Sequence, residues 1–232
     1  MPLSIVIPVY NEQEILEKNV LRLAGFLKKI EKSFEIIIAD NGSVDATPEI
    51  AGKLEKKFSF IRYIRINERG VGLAFKQAIK KAKYEQVVSL DADLTIDFEN
   101  FIRECRQLLE KNFDVIVGSK KAGIQQRRLW RKIASDVYIF LTRLLLGLNF
   151  SDYSIGAKAF KKSKIIRFAK DFDAGSFYVI QALYYGKKAG LKMIEVPTRV
   201  SDTRKSRFNI IHESLYRLTQ LIHFFLKERL MP

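Results

Sequence analysis

Two acidic side chains in the middle of the chain, Asp91 and Asp93, directly follow a short apolar run at residues 87–90. If that run is a buried β-strand, both carboxylates lie just past its carboxyl end. Like charges this close repel each other unless a cation or hydrogen bonds offset them. Magnesium and other hard divalent cations bind one or two carboxylates and complete their coordination with substrate phosphate oxygens. The spacing therefore predicts a divalent-cation site for a diphosphate, in which the cation neutralises charge on a departing diphosphate.

Three other apolar runs also end in polar segments, which lie at residues 8–12, 40–45 and 67–72. Any one of these segments alone would be explained as a capped turn. In an open parallel sheet, however, the carboxyl ends of the strands meet at one edge, and ligands bind there. Polar clusters at four consecutive strand ends therefore predict a single binding site at that edge.

The elements that must position these clusters follow from the apolar pattern. Short, nearly continuous apolar runs predict strands at 3–9, 35–39, 61–66, 86–90 and 114–117. Apolar residues three or four positions apart predict helices at 14–30, 48–57, 73–83 and 98–111. Such an alternation of strands and helices predicts an α/β fold with a mostly parallel central sheet and helices on its faces.

Length and composition limit the class of protein further. The chain has 232 residues and 47% hydrophobic content, which excludes a disordered protein and suits one domain spanning 1–232. A single cysteine, Cys105, excludes an intrachain disulfide, and two histidines are too few for a Cys/His zinc site. The first residues lead into a strand without a basic leader, so we expect no signal peptide and a reducing, cytoplasmic setting.

The positive charge is concentrated in the second half of the chain. The formal net charge is +15; residues 1–117 carry 18 basic and 18 acidic residues, whereas residues 118–232 carry 23 and 8. A basic face of this kind is typical of proteins that bind nucleic acid, an anionic membrane surface or phosphorylated substrates. A nucleic-acid-binding domain would leave the acidic strand ends unexplained, and the sequence contains no signature of such a domain.

A glycine pair at residues 70 and 72 suggests a dinucleotide fingerprint, but the match is partial. Phe75 occupies the position of the third small residue, and the segment follows the third predicted strand rather than the first. We therefore interpret the two glycines as residues that allow a tight turn and close packing of the following helix.

Several of these segments resemble the motifs of one enzyme family. Residues 5–12, 39–47 and 91–93 are similar to the opening, "DDGS-D-T" and "DXD" motifs of inverting family-two nucleotide-sugar glycosyltransferases, which have the GT-A fold. Later segments resemble, in the same order, those of the polyprenyl-phosphate (dolichyl-phosphate) mannosyl- and glucosyltransferases; they lie at 117–120, 131–135, 152–160, 195–197 and 204–207. The resemblance covers nearly the whole chain.

The resemblance implies roles for individual residues. Asp91, Ala92 and Asp93 would hold Mg²⁺ or Mn²⁺ and the diphosphate. The nucleoside pocket would be lined by residues from the first three strand ends, namely Pro8, Tyr10, Glu12, Asp40 and Arg69. The phosphates of donor or acceptor would be met by residues from the basic half, namely Lys120, Arg131, Ser135 and Arg204, with Arg131 acting in catalysis beside the two aspartates.

The sequence also departs from the family pattern. Asn41 replaces the second aspartate of the usual pair, and Thr95 stands where some mannosyltransferases have a glutamine that assists the metal. Lys120 replaces an arginine and so offers a point charge in place of a bidentate fork. Gly175 replaces a glutamate that is common after the Phe-Asp pair, which leaves the sugar pocket and the role of Asp173 open.

Two amphipathic segments, at 125–150 and 207–228, are candidates for membrane-interface helices. The apolar stretch 137–150 contains Arg143 and is shorter than the roughly 20 residues that span a bilayer. In the second segment, apolar residues recur every three or four positions: Phe208, Ile211, Leu215, Leu218, Ile222 and Phe225. Either helix alone could pack on the domain, but beside a basic half-chain both favour a peripheral membrane protein.

These observations predict the transfer of a hexose from a nucleotide diphosphate sugar to polyprenyl or dolichyl phosphate at the cytoplasmic face of the membrane. GDP-mannose is favoured as the donor, with UDP-glucose as the alternative. Direct displacement inverts the anomeric centre and needs no strong base, because the acceptor phosphate is already anionic. A sugar-hydroxyl acceptor is the alternative; it requires a base, for which Asp173 is the candidate.

Overall fold

The structure is a computed structural model that describes residues 1–120, 129–200 and 210–230. Side chains are described for all of these residues except 129–132, 210 and 211. The strands in these ranges are β1 (Leu3–Val9), β2 (Phe34–Asn41), β3 (Ile61–Ile66), β4 (Gln86–Ser89), β5 (Val115–Ser119), β6 (Lys158–Lys161) and β7 (Met193–Pro197).

The helices in the same ranges are α1 (Leu16–Ile30), α2 (Thr47–Lys57), α3 (Val71–Lys81), α4 (Phe98–Glu110), α5 (Leu129–Leu146), α6 (Lys162–Ile165), α7 (Tyr178–Lys188) and α8 (Ile210–Leu230). A 3₁₀ segment, Ile166–Asp171, follows α6. Pro48 lies in the first turn of α2, where its missing N–H leaves no hydrogen bond unmade.

One mostly parallel sheet contains all seven strands, in the order β3-β2-β1-β4-β6-β5-β7. Strand β6 runs antiparallel to its neighbours β4 and β5, whereas the remaining pairs are parallel. The predicted α/β class and mostly parallel sheet are therefore confirmed.

Helices cover both faces of this sheet and bury two hydrophobic clusters. The first joins alternate residues of β1, such as Ile5 and Ile7, to α1, α2 and α4, and it contains the buried Cys105. The second joins Val6 and residues of β2 to α3, α7 and α8, with Phe75 stacked on Tyr178. The alternation follows from the pleat of a strand, which turns successive side chains to opposite faces.

The region between β5 and α5 and the region before α8 contain residues outside the described ranges, at 121–128 and 201–209. In the described ranges, none of the helices combines the length and apolar character needed to cross a bilayer.

Candidate active site

The four predicted polar clusters come together at the carboxyl edge of the sheet. In the parallel register, Val9 of β1 pairs with Asp40 of β2, and Asn41 pairs with Ile66 at the end of β3. Strand β4 pairs with β1 on its other side and ends at Ser89, separated by one residue from the acidic motif, residues 91–93. The segments that follow these strands therefore share one edge, as the sequence predicts.

Hydrogen bonds join the segments that follow β1 and β2. The Asn11 N–H donates to Ser43 Oγ at 2.9 Å, and Asn11 Oδ1 accepts from the Val44 N–H at 2.9 Å. The buried Asn41 donates its side-chain amide to the Val9 carbonyl at 2.8 Å, a bond that an ionised aspartate there could not make. Asn11 (φ 54°) adopts the left-handed conformation, which asparagine tolerates better than most residues. Asn41 therefore fixes the end of β2 against β1.

Asp40 is fully buried at the end of β2, and both of its carboxylate oxygens have protein partners. Oδ1 accepts from the Ser43 N–H at 2.8 Å. Oδ2 accepts from the Tyr63 hydroxyl at 2.9 Å and from the Arg65 guanidinium at 3.3 Å. This network stabilises the turn at the edge of the predicted nucleoside pocket.

Two residues predicted to line that pocket contact each other. The Arg69 guanidinium lies over the Tyr10 ring, 4.5 Å from its centroid, an arrangement stabilised by the cation–π interaction. Pro8 and Glu12 are half-buried in the same segment as Tyr10. The two side chains therefore meet although they are 59 positions apart, and their role in a nucleoside pocket remains a prediction.

The acidic motif forms a tight turn directly after β4. Leu94 has a left-handed backbone conformation (φ 48°), and its N–H donates to the Asp91 carbonyl at 3.2 Å. Asp93 Oδ1 accepts from the Thr95 N–H at 3.2 Å and from its hydroxyl at 3.1 Å, so Thr95 orients this carboxylate. Ala92 is buried, and its carbonyl accepts from the Asn19 side chain at 2.9 Å.

The chemistry of this turn fits a hard divalent cation. The Asp91 side chain is exposed at the edge of the sheet, and Asp93 is half-buried beside it. In the described part of the chain, no cluster of three or more acidic, histidine or cysteine side chains is placed to hold a metal by itself. Mg²⁺ and Mn²⁺ accept two protein carboxylates as ligands when the rest of their ligands come from a bound diphosphate and water.

A loop at residues 151–156 (the 151–156 loop) lies against the acidic motif. Its Gly156 N–H donates to Asp91 Oδ2 at 2.9 Å. The loop is anchored by Asp152, which accepts from the Ser154 N–H at 2.7 Å, the Ser154 hydroxyl at 2.8 Å and the Lys120 N–H at 3.3 Å. Lys120 therefore lies beside this loop, and its role in binding phosphate remains a prediction.

Lys158, two residues beyond this loop, is a buried cation that the sequence did not indicate. Its ammonium donates to the Ile155 carbonyl, and its side chain is fully enclosed. Burial lowers the pKa of Lys158 to about 8, although the charges of Asp152 and Asp91 oppose that shift. Burial by itself would raise the pKa of Asp152, but the Lys120 charge, the bonds from Ser154 and the Lys158 charge lower it overall.

A second loop, at residues 172–177 (the 172–177 loop), makes hydrogen bonds to both α3 and α8. The Ala174 carbonyl accepts from the Gly72 N–H, in the first turn of α3, at 2.8 Å. Asp173 Oδ1 accepts from the Gly175 N–H at 2.8 Å and also from the Tyr216 hydroxyl of α8. The glycine pair therefore permits close packing of this loop, as expected, since a Cβ at Gly72 would lie 2.7 Å from the Gly175 carbonyl oxygen.

The predicted phosphate-binding residues of the second half are described only in part. Arg131 lies in the first turn of α5, but its side chain is outside the described set. Ser135 lies one turn further along α5 and is half-buried. Arg204 lies outside the described residues. The roles of these three residues remain predictions.

The sheet topology and the polar carboxyl edge suit a glycosyltransferase fold of the GT-A type. Residues 4–168 match the family "Glycosyl transferase family 2", and the chain belongs to this family.

Curated relatives are similar over most of this chain. Glycosyltransferase AglD of Haloferax volcanii is 26% identical over 225 residues, covering 94% of this chain and 36% of the relative. Undecaprenyl-phosphate 4-deoxy-4-formamido-L-arabinose transferase of Pectobacterium atrosepticum is 30% identical over 190 residues, covering 80% of this chain and 56% of the relative. The chain thus spans between about a third and just over half of the length of these relatives.

Solved structures share the fold at low sequence identity. Mannosyl-3-phosphoglycerate synthase from Rubrobacter xylanophilus has a TM-score of 0.76 at 14% identity, covering 99% of this chain and 75% of that one. Glucosyl-3-phosphoglycerate synthase from Mycobacterium tuberculosis was crystallised with Mn²⁺, UDP and glucosyl-3-phosphoglycerate. It has a TM-score of 0.70 at 17% identity, covering 96% of this chain and 79% of that one. These similarities confirm the GT-A fold.

Proposed function

We propose that this glycosyltransferase transfers a hexose from a nucleotide diphosphate sugar to a polyprenyl phosphate at a membrane surface. The donor half of the proposal rests on the carboxyl edge of the sheet, and the acceptor half on helices α5 and α8. The Pectobacterium relative, an undecaprenyl-phosphate transferase, supports the same class of acceptor.

The donor would bind across the segments that follow β1 to β4. The paired side chains of Tyr10 and Arg69 provide a planar, cationic surface for the nucleoside end. Asp91 and Asp93 would hold Mg²⁺ or Mn²⁺, and the crystallisation of a structural neighbour with Mn²⁺ and UDP supports this choice. When bound, the cation would neutralise the negative charge that develops on the diphosphate as it leaves.

Helices α5 and α8 present apolar side chains to solvent beside this site. On α5 they recur three or four residues apart: Ile133, Val137, Phe140 and Leu144, with Phe140 61% and Leu144 66% exposed. On α8 they are Leu215, Ile222, Leu226 and Leu230. A soluble helix usually buries its apolar stripe, so exposed stripes next to Arg143, Lys227 and Arg229 suit contact with an anionic lipid surface.

One observation carries the proposal: α8 forms part of the proposed lipid-binding surface and also contacts the 172–177 loop. Its Leu215 is exposed, while the adjacent Tyr216 donates a hydrogen bond to Asp173 in the 172–177 loop. The Ala174 carbonyl of the same loop accepts from the Gly72 N–H at 2.8 Å, so the loop also contacts the polar segment that follows β3. A lipid phosphate whose tail lies along α8 would therefore approach the carboxyl edge of the sheet.

The reaction itself would need little covalent chemistry from the protein. A lipid phosphate oxygen is ionised at neutral pH and attacks the anomeric carbon as the bond to the diphosphate breaks, inverting that centre. The protein would orient the two substrates and hold compensating charge around the phosphates, with Lys120 at the edge and Arg131 on α5 as candidate cations. We propose the cytoplasmic face of the membrane for this reaction, because nucleotide sugars are typically cytoplasmic.

An acceptor comparison tests this function. The protein is incubated with Mn²⁺ and either GDP-mannose or UDP-glucose, together with a polyprenyl phosphate, the matching polyprenol or an oligosaccharide. We expect sugar transfer to the polyprenyl phosphate alone, and the more reactive donor identifies the base and the sugar. Transfer to the oligosaccharide with none to the lipid phosphate would support the hydroxyl-acceptor alternative and contradict the proposal.

A further inference from the structure

The carboxylate of Asp91 has a specific backbone partner in the 151–156 loop. Gly156, two residues before β6, donates its N–H to Asp91 Oδ2 at 2.9 Å. Strands β4 and β6 are neighbours in the sheet, with Ser89 paired to Lys158, so this contact follows from their antiparallel register. The loop therefore reaches the acidic motif from the adjacent strand.

Only glycine leaves room for the carboxylate in this position. A Cβ at residue 156 would lie 2.5 Å from Asp91 Cγ and 2.8 Å from Oδ2, and closer still to Oδ1. These separations are shorter than real Cβ atoms show, so one of the two groups would have to move. The backbone of Gly156 is outside the left-handed region, so the requirement for glycine is one of space and not of backbone conformation.

The loop is held on several sides, which makes Asp91 the group that would move. Ser151 donates its N–H to Glu195 of β7 at 2.9 Å, and Asp152 accepts the two bonds from Ser154. Ile155 is buried, and its carbonyl accepts from the enclosed ammonium of Lys158. By contrast, the side chain of Asp91 is exposed, so it can turn towards solvent when a Cβ occupies its place.

We infer that Gly156 is a positioning residue for Asp91: its N–H and its missing side chain fix the orientation in which the Asp91 carboxylate meets a divalent cation. The inference rests on the proposed function, in which Asp91 is a metal ligand. Groups that orient metal ligands are worth about 10- to 100-fold in metal affinity when they are removed.

Manganese binding to the purified protein tests this role without any turnover. The dissociation constant for Mn²⁺, with UDP present, is measured by electron paramagnetic resonance for the native protein and for Gly156→Ala. We expect about 10- to 100-fold weaker binding in the variant. Gly52→Ala is the matched control, because Gly52 lies in α2 and has nothing within 4 Å of an added Cβ; its Mn²⁺ affinity should equal that of the native protein.

The Asp91→Ala variant separates this inference from the proposed function. If Asp91→Ala leaves Mn²⁺ affinity unchanged, Asp91 is not a ligand and the proposed metal site is wrong. If Asp91→Ala weakens binding but Gly156→Ala does not, the metal site stands and the role of Gly156 is overturned. In the double variant, Gly156→Ala should add nothing to the loss from Asp91→Ala; an equal further loss would also overturn the inference.

A second measurement uses the native backbone and serves where Gly156→Ala does not fold. The Ile155–Gly156 pair is the single Ile-Gly step in the sequence, so labelling isoleucine with ¹³C at its carbonyl and glycine with ¹⁵N selects the Gly156 amide. We expect its proton resonance to move more on Asp91→Ala than that of any other glycine, and to move when Mg²⁺ and UDP are added. A resonance that responds to neither change would overturn the inference.

Discussion

The Tyr216 hydroxyl of α8 donates a hydrogen bond to the carboxylate of Asp173, 43 positions earlier in the chain. The same ring occupies the space beside Gly175, where an added Cβ would lie 2.8 Å from Tyr216 Cζ. Glu213, one turn before Tyr216, accepts from the hydroxyl of Ser176 in the 172–177 loop, and Arg217, the residue after Tyr216, donates to the same hydroxyl. Helix α8 therefore packs against the 172–177 loop as well as presenting an exposed apolar stripe.

Replacing Tyr216 with phenylalanine tests whether this contact supports catalysis. The ring remains while the bond to Asp173 is lost, so we expect slower sugar transfer and a loss of about 0.5–1.5 kcal/mol in the free energy of unfolding. Transfer assays and urea titrations measure the two effects. Tyr84→Phe is the control, since Tyr84 lies at the opposite, amino-terminal edge of the sheet, where its N–H donates to Ser4. Equal transfer rates in both variants would show that the bond to Asp173 does not affect catalysis.

Two charges on the exposed stripe of α8 should release the protein from membranes. Leu215→Glu combined with Ile222→Glu replaces side chains that are 59% and 47% exposed, so the fold should survive. We expect much less co-sedimentation with liposomes that contain anionic lipid, while binding of the soluble donor is retained. The control, Ser214→Glu with His223→Glu, adds the same charge at exposed polar positions of the helix and should co-sediment more strongly than the stripe variant. Equal pelleting of both double variants would argue against the stripe as the lipid contact.

Arg131 is predicted to hold the acceptor phosphate. Arg131→Ala should raise the polyprenyl phosphate concentration needed for half-maximal transfer by about ten- to hundredfold, because a charge-assisted bond contributes roughly 1.5–3 kcal/mol. Donor binding, measured by calorimetry, should change much less. Lys132→Ala, which removes the same charge one residue further along α5, serves as the control. A loss confined to donor binding would assign Arg131 to the diphosphate instead.

Burial of Lys158 should make the free energy of unfolding depend on pH. Its pKa is about 8 in the folded protein because of burial, against an ordinary value of 10.5. Between these values, unfolding takes up a proton, so the free energy of unfolding should rise with pH by up to about 1.4 kcal/mol per pH unit. Urea titrations of the metal-free protein from pH 7.5 to 9.5 measure this slope. Lys158→Met should reduce the slope, and an identical slope in both proteins would contradict the assignment.

Local patterns predict the first half of the fold closely. The strands predicted at 3–9 and 61–66 have those bounds in the structure. A continuous apolar run predicts β1, which is buried on both faces, whereas β3 is an edge strand and only partly buried. Strands β6 and β7 were not predicted. Lys158–Lys161 begins and ends with lysine, and Met193–Pro197 contains Glu195, so neither short segment has a strand-like pattern. Their pairing depends on the sheet that is already in place.

The packing face of α8 shows another limit of the sequence pattern. The predicted apolar stripe contains Leu215 and Ile222, which are exposed, whereas Leu221 and Phe224 pack against the domain. Both faces of this helix carry apolar residues, so periodicity alone does not identify the one that packs. The contacts between Asp91 and Gly156 and between Asp173 and Tyr216 were also not predicted, because each joins residues far apart in sequence through tertiary register.

The most direct test of the central claim is the identity of the product in a single turnover. The protein, Mn²⁺, a labelled nucleotide sugar and polyprenyl phosphate are mixed, and the lipid fraction is analysed by mass spectrometry and ³¹P NMR, in parallel with Asp91→Ala. We predict a lipid phosphodiester carrying one inverted sugar with the native protein and almost none with the variant. Label that remains in water-soluble products, or equal lipid product from Asp91→Ala, would contradict the assignment of a metal-dependent transfer to a lipid phosphate.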